Sequence, residues 1–266
     1  MSQTDVSVSK PRVLLVYYTY TQQSRLVAEA MADVLRERGC EVRQASIGFT
    51  DKRWSERFTR LPMKHAVLDI VGMLPAQLRG ATGEIEIPDD AKEGDYDLIC
   101  IGSPTWFFRQ SVPIRSYLKS DAAAQLLDGK RFTAFVVCRR YWRTNLKSVR
   151  KVGTKLGGRY VDGTHFTFAG GQIRSFMALI SYFAKGENRE RYLGLKIPPS
   201  MLGPDFSEQA RAFANELADE LSGAGVGGSG KSRSANSTCP RPPRSSTGPR
   251  RPTPTGLRSS SSARTS

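Results

Sequence analysis

Short apolar runs rich in β-branched and aromatic residues alternate with helical stripes along most of this 266-residue chain. Val13-Leu14-Leu15-Val16-Tyr17-Tyr18 has no polar position, which is the pattern of a strand buried on both faces. Glu41 to Ile47 alternates and reads as a second strand. Asp97 to Gly102 and Phe132 to Cys138 read as buried strands three and four, and Tyr160 to Phe168 as strand five. Between the first two, Val27, Met31, Val34 and Leu35 recur at helical spacing, and Gly39 supplies a stop. A similar stripe, Ala210, Phe213, Ala214, Leu217 and Leu221, comes late, with Asp205 or Ser207 as its cap. Strands alternating with helices imply right-handed crossovers and a parallel sheet. The predicted fold is α/β, a doubly wound five-stranded sheet of order 2-1-3-4-5, in which the loops after strands one and three flank the ligand-binding switch point.

Those two loops carry suggestive chemistry. Thr19-Tyr20-Thr21-Gln22-Gln23-Ser24 follows strand one and opens the first helix. A hydroxyl-rich turn at a helix N-terminus is an anion cradle, because backbone N–H groups and the helix dipole point at the ligand. Ser103-Pro104-Thr105-Trp106-Phe107-Phe108 follows strand three and is expected to open another helix, with an exposed indole able to stack on a flat ring. A phosphate cradle beside an aromatic shelf on one domain points to FMN. No Gly-x-Gly-x-x-Gly pyrophosphate turn follows strand one, so FMN is expected rather than FAD.

The chain from about 11 to 221 resembles the flavodoxin-like flavoproteins, among them NAD(P)H-dependent FMN and quinone reductases. The family's phosphate loop reads Ser/Thr-x-Thr-Gly-x-Ser/Thr. Thr19, Thr21 and Ser24 keep its hydroxyls, while Gln22 stands where glycine is usual. Glycine adopts a positive φ easily and glutamine does not, so either the turn differs or phosphate binding weakens. Gly102-Ser103-Pro104-Thr105-Trp106 resembles the family's ring-binding loop, with Trp106 against the ring. By the same resemblance the segment after strand four, Cys138-Arg139-Arg140-Tyr141-Trp142-Arg143, is a further flavin-contacting loop. Tyr141 or Trp142 would cover the second face or edge, and Arg139 and Arg140 would balance a reduced flavin's charge or receive a nicotinamide phosphate. The alternative is a basic, aromatic helix start. Cys138 reads as a buried strand residue, not a nucleophile.

The resemblance implies an FMN-dependent oxidoreductase that uses NAD(P)H to reduce a quinone or similar small-molecule acceptor, the flavin carrying the chemistry. Two other readings stay open. One is a one-electron carrier, although such carriers are acidic and this chain carries a net +15. The other is a flavodoxin-like interaction module that has lost its ligand, which Gln22 keeps in play. No catalytic residue is assigned. The ends of strands one and three lack the acidic cluster of a phospho-receiver, and no Cys/His spacing suggests a metal.

The segment 1–10 reads as a flexible polar N-terminus without a signal-peptide core, and no run is long enough to span a membrane. Two segments exceed the minimal fold. Residues 48–88 carry helical stretches around Trp54 to Leu61 and His65 to Leu78, and 172–204 contains the apolar run Phe176 to Phe183. Both fit helices packed on the sheet, or a lid, dimer face or membrane-surface contact. Residues 222–266, rich in Ser, Gly, Pro, Arg and Thr, read as a disordered basic tail suited to anionic surfaces. Gly225 to Ser232 in that tail satisfies the Walker A pattern but has no strand before it and no helix after it, so it reads as a linker. Cys40, Cys100, Cys138 and Cys239 show no paired spacing, which fits a reduced, cytoplasmic protein.

Overall fold

The computed structural model describes residues 10–54, 61–168 and 170–223. The first nine residues, most of the Trp54–Leu61 stretch and the tail from 224, with its Walker-like run, lie outside the described residues. The elements run β1 (Arg12–Tyr17), α1 (Gln23–Glu37), β2 (Glu41–Ser46), β3 (Gly48–Phe49), α2 (Ala66–Gly72), α3 (Leu74–Arg79), β4 (Ile85–Glu86) and β5 (Leu98–Trp106). They continue with β6 (Arg109–Gln110), α4 (Val112–Tyr117), α5 (Asp121–Leu127), β7 (Arg131–Cys138), α6 (Trp142–Lys155), β8 (Arg159–Thr167), α7 (Gln172–Lys185), β9 (Arg191–Tyr192), β10 (Leu195–Lys196) and α8 (Phe206–Leu221).

Strands β2-β1-β5-β7-β8 form one sheet with every neighbouring pair parallel. This is the doubly wound order expected, and the fold is flavodoxin-like α/β. The unbroken apolar run of β1 follows from its central place, since successive side chains enter different layers. Val13, Leu15 and Tyr17 pack with Met31, Leu35, Phe213 and Leu217 of α1 and α8. Leu14 and Val16 pack in the opposite layer with Ile114, Tyr117, Leu127 and Val149 of α4, α5 and α6. Gly102 is dictated by a close approach, because a Cβ there would overlap the Phe135 ring and the Cβ of Tyr17.

Three expectations need correction. Strand three does not end at Gly102 but runs on to Trp106, so Ser103 to Trp106 are strand residues and open no helix. Beyond Gly102 the neighbour β1 has ended, and the chain turns through Phe107-Phe108 into β6, pairing Thr105 with Gln110 and Trp106 with Arg109. Pro104 is tolerated there because no β1 residue pairs with it. The His65–Leu78 stretch is two helices broken at Met73, with Pro75 in the first turn of the second. Asp205 is the N-cap of α8, but its side chain makes no capping bond.

The 48–88 insertion closes on itself. Gly48 and Phe49 pair antiparallel with Glu86 and Ile85, and buried Asp51 clamps both arms. Its carboxylate accepts from Arg53 N at 3.0 Å, Arg53 Nε at 2.9 Å and Glu84 N at 3.0 Å. The Arg53 guanidinium, followed by these backbone donors, holds the Asp51 carboxyl down at about 2, against the opposing effect of burial.

Candidate functional site

The loops that leave β1, β5 and β7 converge on a cavity of about 330 Å³, within the range of ligand pockets. Thr19, Tyr20, Thr21, Gln23 and Ser24 form its first wall, at the N-terminus of the 15-residue helix α1. Gln22 is the N-cap of that helix and sits at φ 63°, in the left-handed region. The turn therefore keeps a glycine-like conformation despite the glutamine, at a local cost of about 1–2 kcal/mol. Gln22 is not among the residues lining the cavity. Gln23 is a positioning residue: its Nε2 donates to the Thr21 carbonyl at 3.2 Å and its Oε1 accepts from Leu202 N at 3.0 Å. The Thr19 hydroxyl is closed off from solvent without a hydrogen-bond partner.

Replacing Gln22 by glycine tests whether this strain is real. Relief of about 1–2 kcal/mol is partly offset by about 0.5–1 kcal/mol of extra backbone entropy in the unfolded chain. Gln22→Gly is expected to raise stability by the difference, up to about 1.5 kcal/mol, in urea unfolding. A destabilised variant would mean that the glutamine side chain supports the turn.

Pro104, Thr105, Trp106, Phe107 and Phe108 form the second wall. Trp106 is half-buried rather than exposed: its ring meets Tyr18 edge-on at 5.7 Å and Phe49 at 6.2 Å, so packing fixes its orientation. Ser103 does not line the cavity. It is fully buried and its hydroxyl donates to Asn145 Oδ1 at 2.9 Å. Asn145, buried on α6, returns its Nδ2 donors to the Ser103 carbonyl at 3.1 Å and the Thr105 hydroxyl at 2.8 Å. The sequence offered no sign of Asn145, which secures the second loop from a distant helix.

Arg139, Arg140 and Tyr141 form the third wall. Tyr141 caps α6 at φ 64° and meets Phe108 edge-on at 4.8 Å, joining the second and third loops. Trp142 is absent from the cavity lining. The helix begins there, and its indole stacks on His165 at 3.8 Å and 9°. Burial, then Arg143, pushes the His165 imidazole below its ordinary range. Cys138 also lines the cavity, but burial pushes its thiol up to about 12, which removes it as a nucleophile.

A fourth wall comes from the inserted helices. Ile70 of α2 and Phe176, Leu179 and Phe183 of α7 face the same cavity. The last three follow an i, i+3, i+7 stripe that was visible in the sequence, though its target was not. The Arg139 guanidinium lies 4.9 Å over the Phe176 ring, and Tyr20 meets Phe183 edge-on at 5.4 Å. Burial pushes the Tyr20 phenol up to about 12.

Backbone strain gathers at the same place. Of the four non-glycine residues with positive φ among the described residues, Gln22, Phe107 and Tyr141 each sit in one of the three loops. Strained backbone of this kind clusters at active sites and ligand clamps. The lining holds two arginines and no acidic residue among the described residues. The site thus offers a helix N-terminus with hydroxyls for an anion and aromatic walls for a planar apolar group.

Fold and site together define a doubly wound α/β domain with a cavity lined by hydroxyl, arginine and aromatic side chains at its switch point. No family model matches the chain, and no curated protein matches it. Several solved structures are similar in part. The flavoprotein in complex with FMN from Lactobacillus acidophilus NCFM shares 16% identity at a TM-score of 0.45, over 59% of this chain and 93% of its own. Oxidised flavodoxin 1 from Bacillus cereus shares 13% identity at a TM-score of 0.44, over 79% and 99%. The Flv1 flavodiiron core from Synechocystis sp. PCC6803 shares 12% identity at a TM-score of 0.45, over 82% of this chain and 37% of its own.

Proposed function

We propose that this chain is an FMN-dependent oxidoreductase that takes reducing equivalents from NAD(P)H and passes them to a quinone or similar planar acceptor. The observation that carries the reading is the unpartnered Thr19 hydroxyl, sealed at the N-terminus of α1 on a cavity lined with aromatic side chains. A buried hydroxyl without a partner costs about 1–3 kcal/mol, and a phosphate oxygen would satisfy it. The donor set fits FMN. Thr19, Thr21, Ser24 and the first N–H groups of α1 would hold the phosphate, Trp106 and Tyr141 would flank the ring, and Arg139 and Arg140 would counter its negative charge. When bound, FMN supplies hydride and single-electron transfer. The chain's own residues bind, orient and exclude water. Burial pushes the Tyr20 phenol and the Cys138 thiol up, away from neutral pH, and although burial lowers Arg139, a guanidinium stays a cation, so the reading asks no side chain for proton transfer.

The absorbance spectrum of the purified chain tests this. Flavin bands that bleach on adding NADPH or NADH are expected. Bands that persist would replace the reductase by an electron carrier, and a chain that takes up no FMN would leave only an interaction module. Titration with FMN should quench tryptophan fluorescence, and Trp106→Ala should lose much of that quenching and bind FMN more weakly. Equal affinity in the variant would make Trp106 core alone.

A further inference from the structure

The inserted elements that wall the cavity also turn large aliphatic side chains toward solvent. Leu68 on α2 is 71% exposed, Ile173 on α7 77%, and Leu193 at the β9–β10 turn 80%. These elements adjoin one another. α7 packs on both α2 and β9, and Met63 N donates to the Phe183 carbonyl at 2.6 Å, which ties the lead-in of α2 to the end of α7. Isolated exposed leucines are ordinary, but several on adjoining elements make a patch that marks an interaction surface. Phe176 belongs to the same surface: it is 40% exposed and also lines the cavity, so the cavity reaches solvent on this side.

The charge beside the patch points to the partner. The β9–β10 hairpin pairs Arg191 directly with Lys196, and like charges in opposed positions destabilise a two-stranded ribbon. Arg174 and Lys185 on α7, and Lys64 before α2, form no ion pair among the described residues. Aliphatic side chains flanked by uncompensated cations suit the boundary of an anionic bilayer, where the aliphatics enter among the headgroups and the cations meet lipid phosphates. A second copy of this chain would bring the same cations against one another.

We propose that the surface formed by α2, α7 and the β9–β10 hairpin docks on an anionic lipid bilayer. Its consequence for the acceptor rests on the flavin reading above: the substrate is a lipid-soluble quinone-like molecule that enters beside Phe176 from the membrane side.

Co-sedimentation of the full chain with phosphatidylcholine vesicles, with and without phosphatidylglycerol, tests the docking. The chain should sediment with the anionic vesicles and be released by salt. The variants Leu68→Glu with Ile173→Glu, Leu193→Glu, and Arg191→Glu with Lys196→Glu all keep the basic C-terminal segment. Each should weaken vesicle binding about tenfold or more while leaving the melting temperature unchanged, since every altered side chain is exposed. Binding as strong as that of the unaltered chain would assign the attraction to the C-terminal segment and overturn the proposal. So would a failure to bind anionic vesicles, or a dimer in solution that the same variants dissociate. Flavin absorbance of each sample separates the two readings, since variant-sensitive docking by a chain without flavin would sink the oxidoreductase and leave the surface standing.

Discussion

Thr19→Val should move two measurements in opposite directions. The flavin-free chain should become more stable by about 1–3 kcal/mol, and its affinity for FMN should fall by about 1.5–3 kcal/mol. The Thr19 hydroxyl is shut away from solvent and bonds to nothing, so the folded chain carries its desolvation cost without return. Valine keeps the branching and close to the volume of threonine and removes only the orphaned group. An oxygen of a bound phosphate would accept from that hydroxyl, and a bond to a charged acceptor is worth more than one to a neutral partner. Calorimetric melting of the flavin-free chain reads the first effect and titration with FMN the second. If stability rises while FMN affinity holds, the orphan is a packing defect and the anion lies elsewhere in the loop. If neither moves, the hydroxyl finds a partner in solution and the observation behind the flavin reading is gone. Thr21→Ala with Ser24→Ala is the companion test, expected to weaken FMN binding without the gain in stability.

What the sequence revealed of this site, and what it withheld, divides by distance along the chain. The three inner strands β1, β5 and β7 were legible because each carries a run buried on both faces, as in Val13 to Tyr18, whereas the edge strand β2 was legible by alternation. The strand order then placed the first two loops together, and both do line the cavity. The Trp106 environment was misread because it depends on Phe107 taking φ 59° to turn β5 back as a hairpin, which no local pattern announces for phenylalanine. Trp142 was misassigned for a related reason: Tyr141 enters the left-handed region at the helix start, so the two neighbouring aromatics diverge, one to the cavity and one to His165. Gln22 was the opposite case. The sequence identified the strained position but not its outcome, which is that the helix start accepts the cost. The α2 and α7 wall was beyond reach because it depends on where two insertions pack, and periodicity reports a buried face without naming its partner.

Asn145→Ala is expected to show how far the site depends on such non-local ties. The amide is fully buried and bonds at three points to a loop about forty residues earlier in the chain. Its loss strands the Ser103 hydroxyl and carbonyl and removes the donor to the Thr105 hydroxyl. One unsatisfied buried group costs about 1–3 kcal/mol, and some of these will recover water through the space vacated, so a net loss of about 2–4 kcal/mol is expected. Urea unfolding monitored at constant slope reads it directly. Because Ser103 and Thr105 bracket Pro104 and precede Trp106, the variant should also bind FMN more weakly, although Asn145 does not line the cavity. Asn145→Asp separates anchoring from filling: it preserves shape and the acceptor for Ser103, but it turns a carboxylate toward the Ser103 carbonyl where an N–H donor stood. It should therefore be no better than alanine at neutral pH and should recover stability on acidification, as the carboxyl gains a proton it can donate. A loss within about 0.5 kcal/mol for Asn145→Ala, as at a surface position, would mean that the strand pairing through Trp106 holds the second loop by itself.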